Sequence, residues 1–198
     1  MTASPQPDGA KSSVPVRSRR AQRELPNWLS VYRLLSSPVL AVLLLIDAEG
    51  LRFLTATIFA LAAITDYLDG YLARRWQVVS TLGVFIDLAA DKILVSTVLI
   101  VLVGTGAVPS WMAAVIVARE FVISGLRSQA AASGIVISAS QLGKWKTAVT
   151  LVALLAALLY PLHSPPVWVQ IGLWLATVIT VVSAIDYIVR FWQVGVKT

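Results

Sequence analysis

Asp66-Tyr-Leu-Asp69-Gly70-Tyr-Leu-Ala73-Arg74, followed after eight residues by Gly83-Val-Phe-Ile-Asp87-Leu-Ala-Ala-Asp91, places four carboxylates inside a strongly apolar background. Asp66 and Asp69 stand at i,i+3, and Asp87 and Asp91 at i,i+4, so on helices each pair occupies one face. Two such pairs on adjacent helices bring together four hard oxygen donors, a set that suits Mg²⁺ or Mn²⁺ rather than zinc. The chain has no cysteine, and its single histidine, His163, lies far from the acids, which argues against a soft-metal site. Carboxylates at membrane depth are unfavourable unless a metal, a partner or water compensates them. The stretch therefore predicts a metal-assisted membrane enzyme.

The bulk composition agrees. Of 198 residues, 58% are hydrophobic, and the mean hydropathy is +0.80. The apolar residues come in long runs, which is too apolar a pattern for an ordinary soluble domain. The formal charge of +6 does not point to nucleic acid, because the basic residues cluster beside the apolar runs. There they set topology and touch anionic headgroups. The absence of cysteine excludes disulfides and thiol catalysis.

Working outward, Met1 to about Glu24 is polar and carries Arg17, Arg19, Arg20 and Arg23. It reads as a flexible basic tail, residues 1–24, ahead of a membrane domain, residues 25–198. After Ile46 the chain continues Asp47-Ala48-Glu49-Gly50 with no small-x-small cleavage signature, so the first apolar run is read as uncleaved. The pattern predicts an all-α integral membrane protein with six transmembrane helices in one bundle. The expected spans run from about Trp28 to Ile46, Arg52 to Asp69, Thr81 to Val103, Pro109 to Ala132, Leu142 to Leu162, and Val167 to Phe191. Pro109 and Pro166 sit where proline fits a helix start. Arg74, Arg75, Arg127, Lys144, Lys146, Arg190 and Lys197 gather with the amino-terminal cluster on one set of ends, whereas the opposite loops hold only Arg52 and His163. By the positive-inside rule both termini are expected in the cytoplasm.

The full pattern, D-x2-D-G-x2-A-R-x8-G-x3-D-x3-D, resembles the signature of the CDP-alcohol phosphatidyltransferases, and every position matches. A CDP-linked lipid presents a diphosphate whose charge must be neutralised before an alcohol can attack, and two metal ions supply that. The resemblance implies that Asp66, Asp69 and Asp87 hold metal, while Asp91 sits at the metal centre and also takes the acceptor hydroxyl's proton. It implies that Gly70 and Ala73 leave room for the nucleotide and that Arg74 pairs with the diphosphate. Ser80 matches a position that touches the CDP moiety, and Asn27 is a further nucleotide candidate. Capping of a helix explains Ser80 and Asn27 equally well. A homodimer in the bacterial cytoplasmic membrane, with its active site facing the cytoplasm, is implied in the same way.

A second cluster bears on the acceptor alcohol. Arg119-Glu120 lies mid-span, followed by Arg127 and by Gly143-Lys144-Trp-Lys146-Thr147. At about 100° per residue, Glu120 and Arg127 share a helix face, with Arg119 roughly 80 to 100° away. Topogenic charge or an ion pair between Glu120 and Lys146 would account for these residues without any ligand. The functional reading is a cationic pocket, Arg119, Arg127, Lys144 and Lys146, for a phosphate on the acceptor. Arg119 to Arg127, Gly134, Gly143 to Thr147 and the opening Leu25 to Arg33 resemble family members that use glycerol 3-phosphate, with CDP-diacylglycerol as the lipid donor. Thr150 departs from that resemblance, which leads one to expect glutamine. Inositol phosphate is the nearest rival acceptor. A cation channel is the rival from another class, and it would need polar residues strung through the whole bilayer.

Overall fold

The computed structural model of the chain describes the backbone of residues 16–46, 48–76, 81–133 and 141–195, with the side chains of 30–46, 48–65, 86, 88–133 and 141–193. Six helices make up the described residues: α1 (Val16–Ile46), α2 (Glu49–Trp76), α3 (Thr81–Gly104), α4 (Ser110–Ala132), α5 (Gln141–Leu159) and α6 (Val167–Gly195). α1 packs on α2 and α3, α3 on α4, α4 on α6, α6 on α5, and α5 on α2. These contacts order the helices around a ring.

The connections are short where they turn the chain back. α1 reaches α2 within residues 47–48, α3 reaches α4 through 105–109, and α5 reaches α6 through 160–166. Connections of this length make antiparallel neighbours. α3 stops because Gly106 adopts φ +77°, a conformation that other residues enter only with strain. Its last carbonyls are closed by Thr105 N–H on Val101 O at 3.0 Å and Val108 N–H on Leu102 O at 3.1 Å. α4 and α6 each begin just after a proline. The Pro109 carbonyl accepts from Met112 at 3.0 Å, and that of Pro166 from Val169 at 2.9 Å. Proline loses nothing there, since a helix start has no partner for its missing N–H.

Boundaries differ from the sequence expectation by three residues or more at five ends, among them the start of α2 at Glu49 and the end of α6 at Gly195. α1 begins at Val16 rather than near Trp28, so the tail read as flexible up to Glu24 is helical over its last residues. Val16 to Glu24 holds no glycine or proline and is rich in good helix formers, directly after Pro15. α2 runs on to Trp76 past the expected end at Asp69. α5 ends at Leu159 rather than Leu162, because Pro161 keeps the residue before it out of the helical region.

One apolar core fills half of the ring. Leu40 and Leu44 of α1, Phe59 of α2, Leu99 and Leu102 of α3, Met112 and Ile116 of α4, Leu154 and Leu158 of α5, and Leu173 of α6 are buried together. These come from the carboxyl-terminal halves of α1, α3 and α5 and the amino-terminal halves of α2, α4 and α6. Small residues such as Ala56, Ala62, Ala153, Ala157 and Ala176 let the helices approach closely. The outer surface is also apolar, with Phe53, Ile100, Val152, Ile171 and Trp192 all exposed. Such a surface needs lipid or another protein against it. Among the described residues, Gln141–Leu159 and Val167–Gln193 are long and apolar enough to cross a membrane, and Ser30–Ile46 is a shorter apolar stretch.

Aromatic residues mark both ends. Trp111 and Trp174 pack at 5.1 Å, and Tyr160 meets Trp168 edge-on at 5.2 Å. Trp145 and Trp192 stand exposed towards the opposite end. From Trp168 to Trp192 the rise along α6 is about 36 Å, enough to link the two interfaces of a bilayer.

Candidate active site

α2 carries positions 66, 69, 70, 73 and 74 at offsets 0, 3, 4, 7 and 8, so the helix brings the whole first half of the motif onto one face. α3 does the same for positions 83, 87 and 91. Both helices pack against α1. The side chains of Asp66, Asp69, Gly70, Ala73, Arg74, Asp87 and Asn27 lie outside the described ones, Asn27 falling on α1, and Ser80 lies outside the described residues altogether.

Asp91 is half-buried and lines a cleft with Lys92 and Val95 of α3, Ile116 and Glu120 of α4, and Lys146, Thr147, Thr150 and Leu151 of α5. The cleft thus holds one carboxylate of the motif beside a cation of the second cluster. Residues four apart on each helix, Asp91 and Val95, Ile116 and Glu120, Lys146 and Thr150, form its walls. It opens where the aliphatic core ends. α1, between the two carboxylate helices, contributes Arg33, whose side chain has no exposure at all. Its guanidinium donates to Ser30 Oγ at 3.5 Å, and its carbonyl accepts from Ser36 at 2.9 Å and Ser37 at 3.0 Å.

Glu120 reaches across the cleft to Lys146, which is only 5% exposed and donates Nζ to Oε1. The same oxygen accepts from Arg119 Nη1 at 3.3 Å. Arg119 turns its other branch to α6 and donates Nη2 to Ser183 Oγ at 3.1 Å, while Ser183 donates to the Thr180 carbonyl at 3.0 Å. Arg119 Nε is buried without a hydrogen-bond partner among the described residues. The Arg127 guanidinium lies 5.6 Å from the Tyr187 ring centroid on α6, within reach of a cation–π contact. The two α4-to-α6 contacts, 119 with 183 and 127 with 187, advance together, so these helices run parallel.

Of the four cations expected to take the acceptor's phosphate, Lys146 lines the cleft and Arg119 joins it through Glu120. Arg127 is exposed over Tyr187, and Lys144 is exposed at the opening turn of α5. The ion pair between Glu120 and Lys146, expected as the ligand-free explanation, is formed. It leaves the cluster with two cations on one carboxylate. Arg33, Thr150, Ser183 and Tyr187 escaped the site reading. Arg33 had a signal, a lone arginine inside the first apolar run. Thr150 stood out only as a departure from the resemblance, and the other hydroxyls had no signal, because serine and threonine are tolerated throughout apolar helices by bonding back to the helix itself.

The sequence model of the CDP-alcohol phosphatidyltransferases matches residues 23–182, from the start of the first apolar run to the middle of α6. The chain belongs to the CDP-alcohol phosphatidyltransferase family. Several curated relatives carry the name CDP-diacylglycerol–glycerol-3-phosphate 3-phosphatidyltransferase. That of Bacillus subtilis (strain 168) is 36% identical over 184 residues, covering 85% of this chain and 95% of the relative. That of Rickettsia prowazekii (strain Madrid E) is 36% identical over 172 residues, with the same coverage. The Haemophilus influenzae relative is 33% identical over 169 residues, covering 83% of this chain and 91% of its own. In this phosphatidyltransferase the match takes in all four motif aspartates and both flanks of the cleft.

Proposed function

We propose that the chain transfers the phosphatidyl group of CDP-diacylglycerol to glycerol 3-phosphate, giving phosphatidylglycerophosphate and CMP. The observation that carries this reading is the cleft itself. Asp91 of the CDP-alcohol motif and Lys146 of the second cluster line one space, so a base and a phosphate-binding cation face the same acceptor. The relatives named above support the choice of substrates.

The four aspartates fit a divalent metal, because they are hard oxygen donors on two helices that flank the same neighbour, with Asp91 at the cleft wall. Asp66, Asp69, Asp87 and Asp91 would hold one or two ions of Mg²⁺ or Mn²⁺. When bound, such ions neutralise the diphosphate and stabilise the charge that develops on the attacking and leaving oxygens. The chain's own residues do the rest. Arg74, one turn beyond Gly70 on the motif face of α2, pairs with the diphosphate, and Gly70 and Ala73 admit the nucleotide. Lys146 and Arg119 draw in the acceptor's phosphate, with Arg127 and Lys144 nearer the entrance. Asp91 accepts the proton of the 1-hydroxyl as its oxygen bonds to the lipid-side phosphorus. The bond from that phosphorus to the CMP oxygen breaks, and CMP leaves.

All six helices cross the membrane in this reading, with both termini and the cleft on the cytoplasmic side. The apolar outer surface supports the spans, and the distribution of Lys and Arg supports the orientation. The protein acts as a homodimer in a bacterial cytoplasmic membrane. An acceptor panel tests the reaction. Purified protein with CDP-diacylglycerol and Mg²⁺ or Mn²⁺ should release CMP with glycerol 3-phosphate, and far less with inositol phosphate or serine. Chelation, or Asp66→Asn, should abolish release while the protein stays folded. A stronger response to inositol phosphate would overturn the acceptor, and full activity in chelator would overturn the metal.

A further inference from the structure

Thr150 is 4% exposed and lines the cleft, yet its Oγ1 finds no hydrogen-bond partner among the described residues. Thr180 on α6 is likewise buried with no partner among the described residues, but of the two only Thr150 lines the cleft. Most other described threonines bond back to their own helix. Thr55, Thr57, Thr147 and Thr177 each donate to the carbonyl four residues back, at 2.7 to 3.3 Å. That bond is the usual way to satisfy a hydroxyl in an apolar helix. A buried hydroxyl left without it is unfavourable, and such groups in folded proteins call for an explanation. Thr150 stands one turn beyond Lys146 on the same face of α5, and it shares the cleft wall with Asp91 and Glu120 and with the hydrocarbon of Val95, Ile116 and Leu151.

The proposed acceptor has three polar groups. Its phosphate goes to the cations and its 1-hydroxyl to Asp91, which leaves the secondary hydroxyl between them. We propose that Thr150 is a specificity contact, whose hydroxyl hydrogen-bonds the secondary hydroxyl of the bound three-carbon acceptor. This rests on the reaction proposed above. A site with a buried group waiting for a substrate hydroxyl rejects the analogue that lacks it, because the protein group then stays unpaired.

The test crosses two changes, one in the protein and one in the acceptor. CMP release from CDP-diacylglycerol is measured with glycerol 3-phosphate and with 3-hydroxypropyl phosphate, which lacks only the secondary hydroxyl. Wild-type protein should prefer glycerol 3-phosphate in kcat/KM, and Thr150→Val should reduce that preference by about five- to tenfold. The loss should fall on glycerol 3-phosphate alone, and Thr150→Ser should restore the preference. Without acceptor, Thr150→Val should unfold at the same temperature as wild type or higher, since it removes an unpaired buried hydroxyl; a role in packing would lower it. A preference that survives Thr150→Val, or an equal loss with both acceptors, overturns the inference and leaves the reaction standing. Wild-type protein that releases no CMP with glycerol 3-phosphate overturns the reaction first, and this inference with it.

Discussion

At Glu120 a single carboxylate oxygen receives both the Lys146 ammonium and the Arg119 guanidinium, with Lys146 almost fully enclosed. Removing that carboxylate strands two cations in apolar surroundings. Breaking a buried pair from one side is worth about 3–5 kcal/mol, and somewhat less is expected here because Glu120 keeps 17% exposure. Glu120→Gln should therefore lower the unfolding temperature clearly, and Glu120→Gln with Lys146→Met should recover part of that loss. Thermal unfolding in one detergent compares the two, and a double variant no better than the single would show that the pair is not coupled. Charged residues of this kind were legible in the sequence, because each interrupts a long apolar run. Their partners were not. Which neighbour Glu120 faces depends on how α4 is rotated against α5 and α6, and residue types alone do not set that rotation.

Single helices were legible to within a turn or two, apart from α1. Hydrophobic runs of bilayer length announced them, and Pro109 and Pro166 marked two starts. The missed length of α1 has a plain cause: its first turns are polar, so no apolar period betrays them, while helix propensity alone extends the helix to Val16. Between α3 and α4 the backbone geometry makes a sharper test. A Cβ would meet nothing within 4 Å at Gly104 or at Gly106, but only Gly106 has a positive φ. Gly106→Ala should then destabilise by about 1–2 kcal/mol through backbone strain alone. Gly104→Ala should be neutral, or stabilising by up to about 1 kcal/mol, because alanine restricts the unfolded chain. Equal effects of the two substitutions on the unfolding temperature would mean that the turn is not held in its left-handed form.

At the scale of the whole molecule, the ring divides into an aliphatic half and a half that carries the acids and cations. The six-span arrangement proposed for it predicts which side each turn faces. Ser164, exposed between α5 and α6, and Ser133, exposed at the end of α4, stand at opposite ends of α5. The chain has no cysteine of its own. With a membrane-impermeant thiol reagent on intact cells, Ser164→Cys should be labelled and Ser133→Cys should not, until the cells are opened. Labelling of both from one side would overturn the topology. The ring order itself could not be read from the sequence. Two helices that pack side by side, such as α2 and α5, are far apart in the chain, and their small-residue faces would suit several partners.

The aliphatic half has an electrical consequence. A bilayer under voltage drops most of its potential across whatever excludes water and ions, and moving one charge through 100 mV is worth about 2.3 kcal/mol. With Leu99, Leu102, Leu154 and Leu158 filling that half, the field in the proposed six-span arrangement would fall across hydrocarbon, and Asp91 and Lys146 on the cleft wall would sit at the potential of the compartment into which the cleft opens. So arranged, a protein with charges at its cleft would stay an insulator. In the proposed reaction the charged substrate and the departing nucleotide would come and go on one side, so turnover would carry no current and draw nothing from the membrane's energy store.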